Sequence, residues 1–363
     1  MPDPSETPNL ERINLLNCTK LCSISSSIQN FKNLGILSLP GCKSLKCFPP
    51  NIQFSSPIKI NLSDCVNITE FPQISGNIKE LHLDGTAIEE VPSSVESLIN
   101  LEILSLKSCE RLKILSTSIC KLKSLRLLYF GYCLKLESFP EISEKMERLE
   151  YIDLNYTAIR KLPSPIENVR GLQSLALQNC SELDTLPENL RNLKSLGHIY
   201  GERSGISQLQ SSITELNQPK ILSFSGCISF VLPPLSGLSS LELLNLGDRG
   251  KTKIPQDIGS LSSLEILKLN GNNFTIMQRK KEEEVDLVHP YGIIICLPGN
   301  GIPEWFSNQS LGSSINIPVP QLCCSRNFIG FALCAVIALK EFPGGSENLL
   351  FQCDYRFEAK NRS

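Results

Sequence analysis

One short pattern of leucines recurs along most of this chain and constrains its fold more than any other feature. The pattern is LxxLxLxxCxxL, as seen between Leu34 and Leu45, and twelve copies follow one another about every 23 residues from Leu10 to Phe274. A unit of this length cannot bury its apolar face alone, so successive units must stack. The repetition therefore predicts a solenoid rather than a globular enzyme core.

Each copy has a strand half and a return half, with positions numbered from its first leucine. In the strand half the apolar side chains alternate, so positions 4 and 6 point inward and positions 3, 5, 7 and 8 form a concave face. Return segments such as Ser93–Leu98 and Ser116–Leu122 have apolar residues at three- to four-residue spacing after a residue that can cap a short helix. We predict an α/β leucine-rich repeat solenoid with a parallel β ribbon and short convex helices, followed by a small all-β sandwich.

The end of the repetition divides the chain into three parts. Residues 1–275 form the predicted array of about twelve leucine-rich repeats, and residues 276–290 form a charged linker that contains the run RKKEEE. Residues 291–363 contain short apolar runs, IIICL, SINIPV, FIGFALCAVIAL and LLFQCDYRF, separated by Gly, Pro and Asn. This pattern favours an antiparallel sandwich. About 75 residues is small for such a domain, and we expect it to be incomplete.

Position 9 of the repeat predicts a buried column of small side chains, which we call the ladder. Its members in chain order are Cys18, Cys42, Cys65, Thr86, Cys109, Cys133, Thr157, Cys180, Ser204, Cys227, Arg249 and Asn272. Neighbouring members are expected about 5 Å apart with parallel side chains, which favours stacked, reduced thiols over disulfides. Arg249 does not suit a buried position, so we expect either a register slip there or a bulge that lets its guanidinium reach solvent.

Composition excludes several classes of protein. The net charge of −2 gives no electrostatic footprint for nucleic acid or an anionic membrane. The first eleven residues are polar and unlike a signal peptide, and the longest apolar stretch, 328–339, has only 12 residues. We therefore predict a cytoplasmic protein, with the nucleus as the alternative, and neither nucleic acid nor membrane as a partner.

No cluster of residues in the sequence predicts catalysis, a metal or a cofactor. His82, His198 and His289 are far apart and have no metal-ligand spacing. The Cys323–Cys324 pair has no CxxC partner, and no histidine follows position 289 to serve as a base. We predict no catalytic residues, no metal site and no cofactor.

The concave positions of repeats six to nine are unusually aromatic, and five of the seven tyrosines of the chain lie there. Tyr and Arg dominate interface hot spots because they bury much area at low entropic cost. We predict a partner-binding surface there, with Ser174 and Ala176 flooring a shallow pocket; the alternative is that the tyrosines reflect strand propensity alone. This surface, the tyrosine patch, comprises Tyr129, Tyr132, Tyr151, Asp153, Tyr156, Asn179, His198, Tyr200 and Arg203.

Two kinds of motif carry a resemblance to a known family. The segments LHLDGTAIEEVP (81–92) and IDLNYTAIRKLP (152–163), with the LxLxxCxxLxxLP units, resemble the repeats of plant TIR-NB-ARC-LRR disease-resistance receptors. The segment CLPGNGIPEWF (296–306) is similar to the start of the jelly-roll/Ig-like domain, called C-JID, that follows the repeats in that family. The motif residues are Pro298, Gly299, Ile302, Pro303, Glu304, Trp305 and Phe306.

The resemblance implies a non-enzymatic recognition module of a plant intracellular immune receptor. In such receptors the repeats and C-JID bind a pathogen effector protein and thereby release the NB-ARC and TIR modules, which are the further partners implied. This chain contains no GxxxxGK[ST] phosphate loop, so the nucleotide switch and NAD cleavage are expected to be absent from it. Two alternatives stay open: a constitutive scaffold for host signalling proteins, and a repeat-fused ubiquitin ligase that uses Cys323, Cys324 or Cys334.

Overall fold

A computed structural model describes residues 5–272, apart from 164, 210, 217, 229, 251–257 and 259, together with residues 294–296. In this part of the chain a thirteen-stranded sheet runs the length of the array, and neighbouring strands follow one another in chain order. Every pairing in it is parallel. The strands are Arg12–Asn14, Ile36–Ser38, Ile52–Asn61, Ile74–His82, Ile103–Ser105, Leu127–Tyr129, Tyr151–Asp153, Ser174–Ala176, His198–Tyr200, Ile221–Ser223, Leu243–Asn245, Ile266–Lys268 and Ile294–Cys296. The predicted parallel ribbon is confirmed, with one strand from each of the twelve repeats.

The leucine frame places the core as predicted. The residues at positions 4 and 6, for example Leu104 and Leu106, are fully buried, whereas position 3 of the same strand, Ile103, is half-buried. Because side chains alternate along a strand, this arrangement leaves positions 3 and 5 on one face of the sheet, which we call the ribbon face. Any surface for a partner on the ribbon is built from these positions and from the turn that follows them.

The return segments form 3-10 helices of three to five residues rather than α-helices. They span Ser26–Asn30, Ser93–Ser97, Thr117–Lys121, Ile166–Asn168, Glu188–Asn192 and Ser211–Glu215. Segments this short cannot offset the nucleation of an α-helix, whereas 3-10 geometry suits short connectors. Ser116 caps its helix as predicted by accepting a hydrogen bond from the N–H of Ser118. The segment after Pro92 has no side-chain cap, and there the proline sets the backbone instead.

Repeats three and four depart from the others because their strands begin early. Ile52–Asn61 and Ile74–His82 pair with each other on both sides of a register irregularity near Ile58. Gly76 has a φ of 94°, and a Cβ there would lie 2.1 Å from the carbonyl oxygen of Phe54. Glycine is therefore required for the close approach of these two strands.

The ladder at position 9 is a column of hydrogen bonds. Six cysteines donate from Sγ to the position-6 carbonyl of the preceding repeat at 3.0–3.2 Å, as Cys109 does to Leu83. Thr86 instead donates to the carbonyl of its own repeat, also Leu83, at 2.7 Å. The ten cysteines from Cys18 to Cys227 are free thiols, and six of the seven in the ladder are buried, while Cys18 in the first repeat is half-buried. The buried ladder cysteines therefore stack in a column in which each thiol is hydrogen-bonded to a backbone carbonyl.

Position 8, directly before the ladder, adopts the left-handed backbone conformation in all twelve repeats. The φ values lie between 53° and 74° for Asn17, Gly41, Asp64, Gly85, Ser108, Tyr132, Tyr156, Asn179, Arg203, Gly226, Asp248 and Gly271. Gly, Asn and Asp tolerate this conformation best, and eight of these positions carry one of them. Two positions carry tyrosine, for which a positive φ is uncommon.

Both expectations for Arg249 were wrong. The register continues through repeat eleven without a slip, and Arg249 is only 6% exposed. Its guanidinium carbon lies 4.8 Å from the ring centroid of Phe230, and its Nη2 donates to the carbonyl of that residue. An aromatic ring and a carbonyl therefore replace the water that we expected around the charge. Burial lowers the pKa of the guanidinium.

The C-terminal region begins with one strand that joins the ribbon. Ile294–Cys296, from the run IIICL, pairs in parallel with Ile266–Lys268, whereas we expected this run in an antiparallel sandwich. Its three residues extend the edge of the last repeat, which a parallel ribbon otherwise leaves unpaired. The remainder of the expected linker and sandwich lies outside the described residues.

Candidate functional site

The tyrosine patch occupies four adjacent strands, those of repeats six to nine. Parallel register aligns their position-5 residues, Tyr129, Asp153, Ala176 and Tyr200, in one row across the ribbon face. The position-3 residues form a second row, in which Tyr151, Ser174 and His198 are neighbours. The five strand residues of the patch thus lie on one face of the ribbon, with the small residues Ser174 and Ala176 between the aromatic pairs.

Two tyrosine rings meet on the strands of repeats six and seven. The centroids of Tyr129 and Tyr151 lie 5.3 Å apart with their planes inclined at 58°. Lys107 of repeat five places its Nζ 4.2 Å from the centroid of Tyr129, on the ring face. Partial burial raises the pKa of Tyr151 to about 12, so both phenols stay neutral near pH 7. The pair offers apolar ring surface to a cation or another ring.

Asp153 differs from its expected exposure, because it is only 6% exposed. Its Oδ1 accepts a hydrogen bond from the N–H of Asn155 at 3.1 Å, and Oδ2 lies 3.7 Å from Nζ of Lys107. Gly131 makes room for this carboxylate, since a Cβ at that position would lie 2.9 Å from Oδ2. Removal from water is the main cause that raises the pKa of Asp153, and the charge of Lys107 opposes the shift.

A second aromatic pair lies at the turn that follows the strands. The rings of Tyr132 and Tyr156 are nearly parallel, 11° apart, with a centroid separation of 4.2 Å. Tyr132 is 49% exposed and Tyr156 is 37% exposed, and the backbone of each is left-handed. Leu134 beside them is 54% exposed. An exposed apolar edge therefore borders the patch on this side, and the sequence reasoning did not include Leu134 in it.

The far end of the patch is polar. Ser174 Oγ and His198 Nδ1 lie 2.9 Å apart, and the His198 ring lies 6.4 Å from that of Tyr200. Burial, followed by the charge of Glu202, raises the pKa of Tyr200. Glu202 accepts a hydrogen bond from Ser223 at Oε1, while its buried Oε2 has no hydrogen-bond partner among the described residues.

Two patch residues on the turn side differ in exposure. Arg203 is exposed and Asn179 is half-buried, and both have a positive φ. Gly226 in the next repeat lies close against the stem of Arg203, since a Cβ there would lie 2.7 Å from its Cγ. The Arg203 side chain is thus supported at its base while its charged end faces solvent.

Three residues that act in this geometry were absent from the predicted set: Lys107, Gly131 and Leu134. Lys107 and Gly131 act on residues of later repeats, so their roles depend on stacking and not on their own local sequence. A cation at position 7 beside a tyrosine at position 5 of the next repeat is the sequence signal that points to Lys107.

The buried thiols of the ladder are poor candidates for chemistry. Burial raises the pKa of Cys65 and of Cys109 to about 11, and it also raises the pKa of Cys133. A thiol must ionise to act as a nucleophile, so these side chains are held in the unreactive form. Cys323, Cys324 and Cys334, which the ligase alternative requires, lie outside the described residues.

Among the described residues, no group of three or more His, Cys, Asp or Glu side chains is arranged to hold a metal ion. No helix in the same part of the chain has both the length and the apolar character needed to cross a bilayer.

The fold and this surface define a leucine-rich repeat protein with an aromatic ribbon face. The family profile described as "Disease resistance protein RPS4B-like, leucine-rich repeats" matches residues 121–246, which include the whole tyrosine patch. The C-JID domain profile matches residues 297–361, which include the PGNGIPEWF motif. The chain carries the leucine-rich repeats and the C-JID domain of the plant TIR-NB-LRR disease-resistance proteins, and the resemblance drawn from its motifs is confirmed.

Similar proteins agree with this assignment. The chain is 35% identical to "Protein SUPPRESSOR OF npr1-1, CONSTITUTIVE 1" of Arabidopsis thaliana, over 93% of this chain and 22% of that protein. It is 32% identical to "Disease resistance-like protein DSC1" of the same plant, over 98% of this chain and 33% of that protein. The chain therefore spans a fifth to a third of the length of these relatives.

A solved structure supports the fold. The structure described as the "TLR13-ssRNA13 complex" aligns with a TM-score of 0.54 and 22% identity, over 75% of this chain and 48% of that one. At this identity the match shows the repeat architecture alone.

Proposed function

We propose that this chain is the non-enzymatic recognition module of a plant intracellular immune receptor and binds a pathogen effector protein. The tyrosine patch and the C-JID domain together form the binding surface. Within the whole receptor the chain acts in the cytoplasm, with the nucleus as the alternative, and transmits binding to NB-ARC and TIR modules as partners. The leucine-rich repeats of resistance proteins mediate protein interactions, which supports a protein ligand.

The observation that carries this proposal is the exposed, stacked pair Tyr132 and Tyr156. Both tyrosines have a backbone conformation that ten of the twelve repeats assign to other residue types. Such a backbone costs a non-glycine residue about 1 to 2 kcal/mol. Strand propensity does not account for them, because they lie in the turn after the strand. Uncommon backbone conformations of this kind collect at binding sites, where surrounding structure maintains them.

The test first identifies a cognate effector by co-expressing the full chain with a panel of secreted pathogen proteins. Calorimetry then compares the affinity of that effector for the wild-type chain and for the triple variant Tyr129→Ala, Tyr156→Ala and Tyr200→Ala. We expect the affinity to fall by at least about a hundredfold, because truncation of a hot-spot residue costs about 2 kcal/mol or more.

A control variant removes three apolar side chains elsewhere on the array that are more exposed than these tyrosines: Leu16→Ala, Val66→Ala and Ile228→Ala. This control is expected to keep the wild-type affinity. Wild-type affinity in the tyrosine variant would refute the patch as the binding surface. Recovery of one host signalling protein with equal yield before and after infection, and of no effector, would favour the scaffold alternative.

A further inference from the structure

The recess beside Tyr129 contains a carboxylate that the fold has removed from water and paired weakly. Asp153 is 6% exposed, and the one cation in an ion pair with it among the described residues is Lys107, 3.7 Å from Oδ2. A well-formed charge-assisted hydrogen bond is shorter, about 2.7 to 2.9 Å. The Lys107 side chain is itself 44% exposed, so solvent competes for its ammonium. Asp153 thus keeps most of its desolvation penalty.

The walls of this recess suit a flat cation. The Tyr129 and Tyr151 rings are in contact, with centroids 5.3 Å apart and planes inclined at 58°, and a cation already lies on the Tyr129 ring face, 4.2 Å from its centroid. An arginine guanidinium can stack on a tyrosine face and donate two parallel hydrogen bonds to one carboxylate, which a lysine ammonium cannot do. Gly131 leaves the approach to Oδ2 open, since any Cβ there would lie 2.9 Å from that oxygen.

We propose that this recess binds an arginine side chain of the partner protein, which displaces the ammonium of Lys107 and stacks on the face of the Tyr129 ring against Asp153. The inference rests on the proposed function, since it states the chemistry that the same patch recognises. In the free chain Lys107 is the internal substitute for that arginine. It leaves readily because it is half-exposed and bonded at long range.

The test uses the full chain with 13C-labelled tyrosine rings and N-acetyl-arginine methylamide as the probe. N-acetyl-citrulline methylamide is the control, because it has nearly the same shape and no charge. Ring resonances are assigned from Tyr129→Phe and Tyr151→Phe. We expect the arginine probe to shift both resonances saturably, with a dissociation constant at least about tenfold below that of the citrulline probe.

Two variants examine the carboxylate and the competing lysine. Asp153→Asn keeps the size of the side chain and its acceptor for Asn155, so the fold is retained, and it is expected to weaken the arginine probe at least about tenfold. Lys107→Ala removes the competitor and is expected to tighten the probe about threefold or more. Equal shifts by citrulline, or unchanged arginine affinity in Asp153→Asn, would overturn the proposal. Unchanged affinity in Lys107→Ala would overturn the displacement of the lysine.

Failure of this inference is distinguishable from failure of the proposed function. If the triple tyrosine variant loses the effector while Asp153→Asn binds it normally, the patch is the interface and its ligand is not arginine. If the arginine probe binds as expected while the tyrosine variant keeps full effector affinity, the recess recognises a cation and the effector binds elsewhere. Each result refutes one statement and leaves the other standing.

Discussion

Tyr132 and Tyr156 stack at 4.2 Å although the backbone of each is left-handed, with φ values of 65° and 57°. The ring contact contributes about 0.5 to 1.5 kcal/mol, whereas the two backbone conformations cost about 1 to 2 kcal/mol each. The free energy of the ring contact therefore does not offset the cost of the two left-handed backbone conformations. We expect the pair to serve binding rather than the stability of the isolated chain.

The double variant Tyr132→Asn and Tyr156→Asn tests this balance. Asparagine tolerates the left-handed region, so the free energy of unfolding is expected to rise or to stay within about 1 kcal/mol of wild type. The affinity for the effector is expected to fall at least about tenfold. Chemical denaturation and calorimetry measure the two quantities. A loss of stability above about 2 kcal/mol would show that the rings serve the fold. Ser108→Asn, at the equivalent turn outside the patch, is the control and leaves binding unchanged.

Asp153→Asn is expected to stabilise the chain at neutral pH while it weakens binding. Burial raises the pKa of this carboxyl above its ordinary value, so the folded state holds the proton to higher pH than the unfolded state does. Its ionisation therefore removes stability as pH rises from the ordinary value of about 3.8 through the raised one. Lys107, which faces it, opposes the shift without cancelling it.

The measurement is the melting temperature of wild type and Asp153→Asn between pH 3 and pH 8. The difference between them is expected to be near zero at the acidic end and to grow in favour of the variant towards neutrality. A difference that favours wild type at pH 7 would mean that the contact with Lys107 outweighs the desolvation of the carboxylate. Glu144→Gln, in an exposed ion pair with Lys123, is the control and is expected to change stability little.

Much of this architecture was predictable because the spacing of the leucines indicates which residues form the strands and which side of the sheet is buried. Positions 4 and 6 are apolar in nearly every repeat, which predicted the ribbon and its buried side. The environment of Asp153 was not predictable, because it arises from Lys107 and Gly131 in two earlier repeats. The burial of Arg249 was missed for the same reason, since its partner Phe230 lies 19 residues away. The leucine pattern predicts which side chains point inward, whereas contacts between residues of different repeats can be seen only in the stacked structure.

The cysteine ladder is expected to resist alkylation in the folded chain. Cys65 and Cys109 are buried with pKa values raised to about 11, so little thiolate exists at pH 8. Cys22 and Cys47 are exposed and are expected to react first with iodoacetamide. Peptide mass mapping after short exposure measures the order, and the same reaction in denaturant is the control. Equal labelling of ladder and exposed thiols in the folded chain would contradict the buried column.

Hydroxyl members of the ladder are expected to contribute through their hydrogen bonds. Thr157 donates to the Leu154 carbonyl at 2.7 Å, and Cys180 of the next repeat donates to the same oxygen at 3.0 Å. Thr157→Val keeps the shape and removes one of these donors, so it is expected to lower the free energy of unfolding by about 1 kcal/mol. Denaturant melts measure the change, with exposed Thr19→Val as the control. A neutral effect would show that the thiol alone satisfies the carbonyl.

Arg249→Asn is expected to stabilise the array, because it exchanges a buried charge for a neutral donor that the ladder already uses. Asn272, one repeat later, donates from Nδ2 to the carbonyls of Leu246 and Leu269. The introduced amide can reach the equivalent carbonyls, whereas Nε of Arg249 has no hydrogen-bond partner among the described residues.

Replacement of a buried charge by a well-packed neutral residue is often neutral or stabilising by about 1 to 4 kcal/mol. This variant also loses the contacts of Arg249 with Phe230, so we expect a stabilisation near the lower end of that range. Thermal and denaturant unfolding measure the change against exposed Arg148→Asn. A loss of more than about 1 kcal/mol in the variant would show that the ring and carbonyl of Phe230 compensate the buried guanidinium fully. In that case the charge would be a stabilising part of repeat eleven rather than a tolerated exception in its ladder.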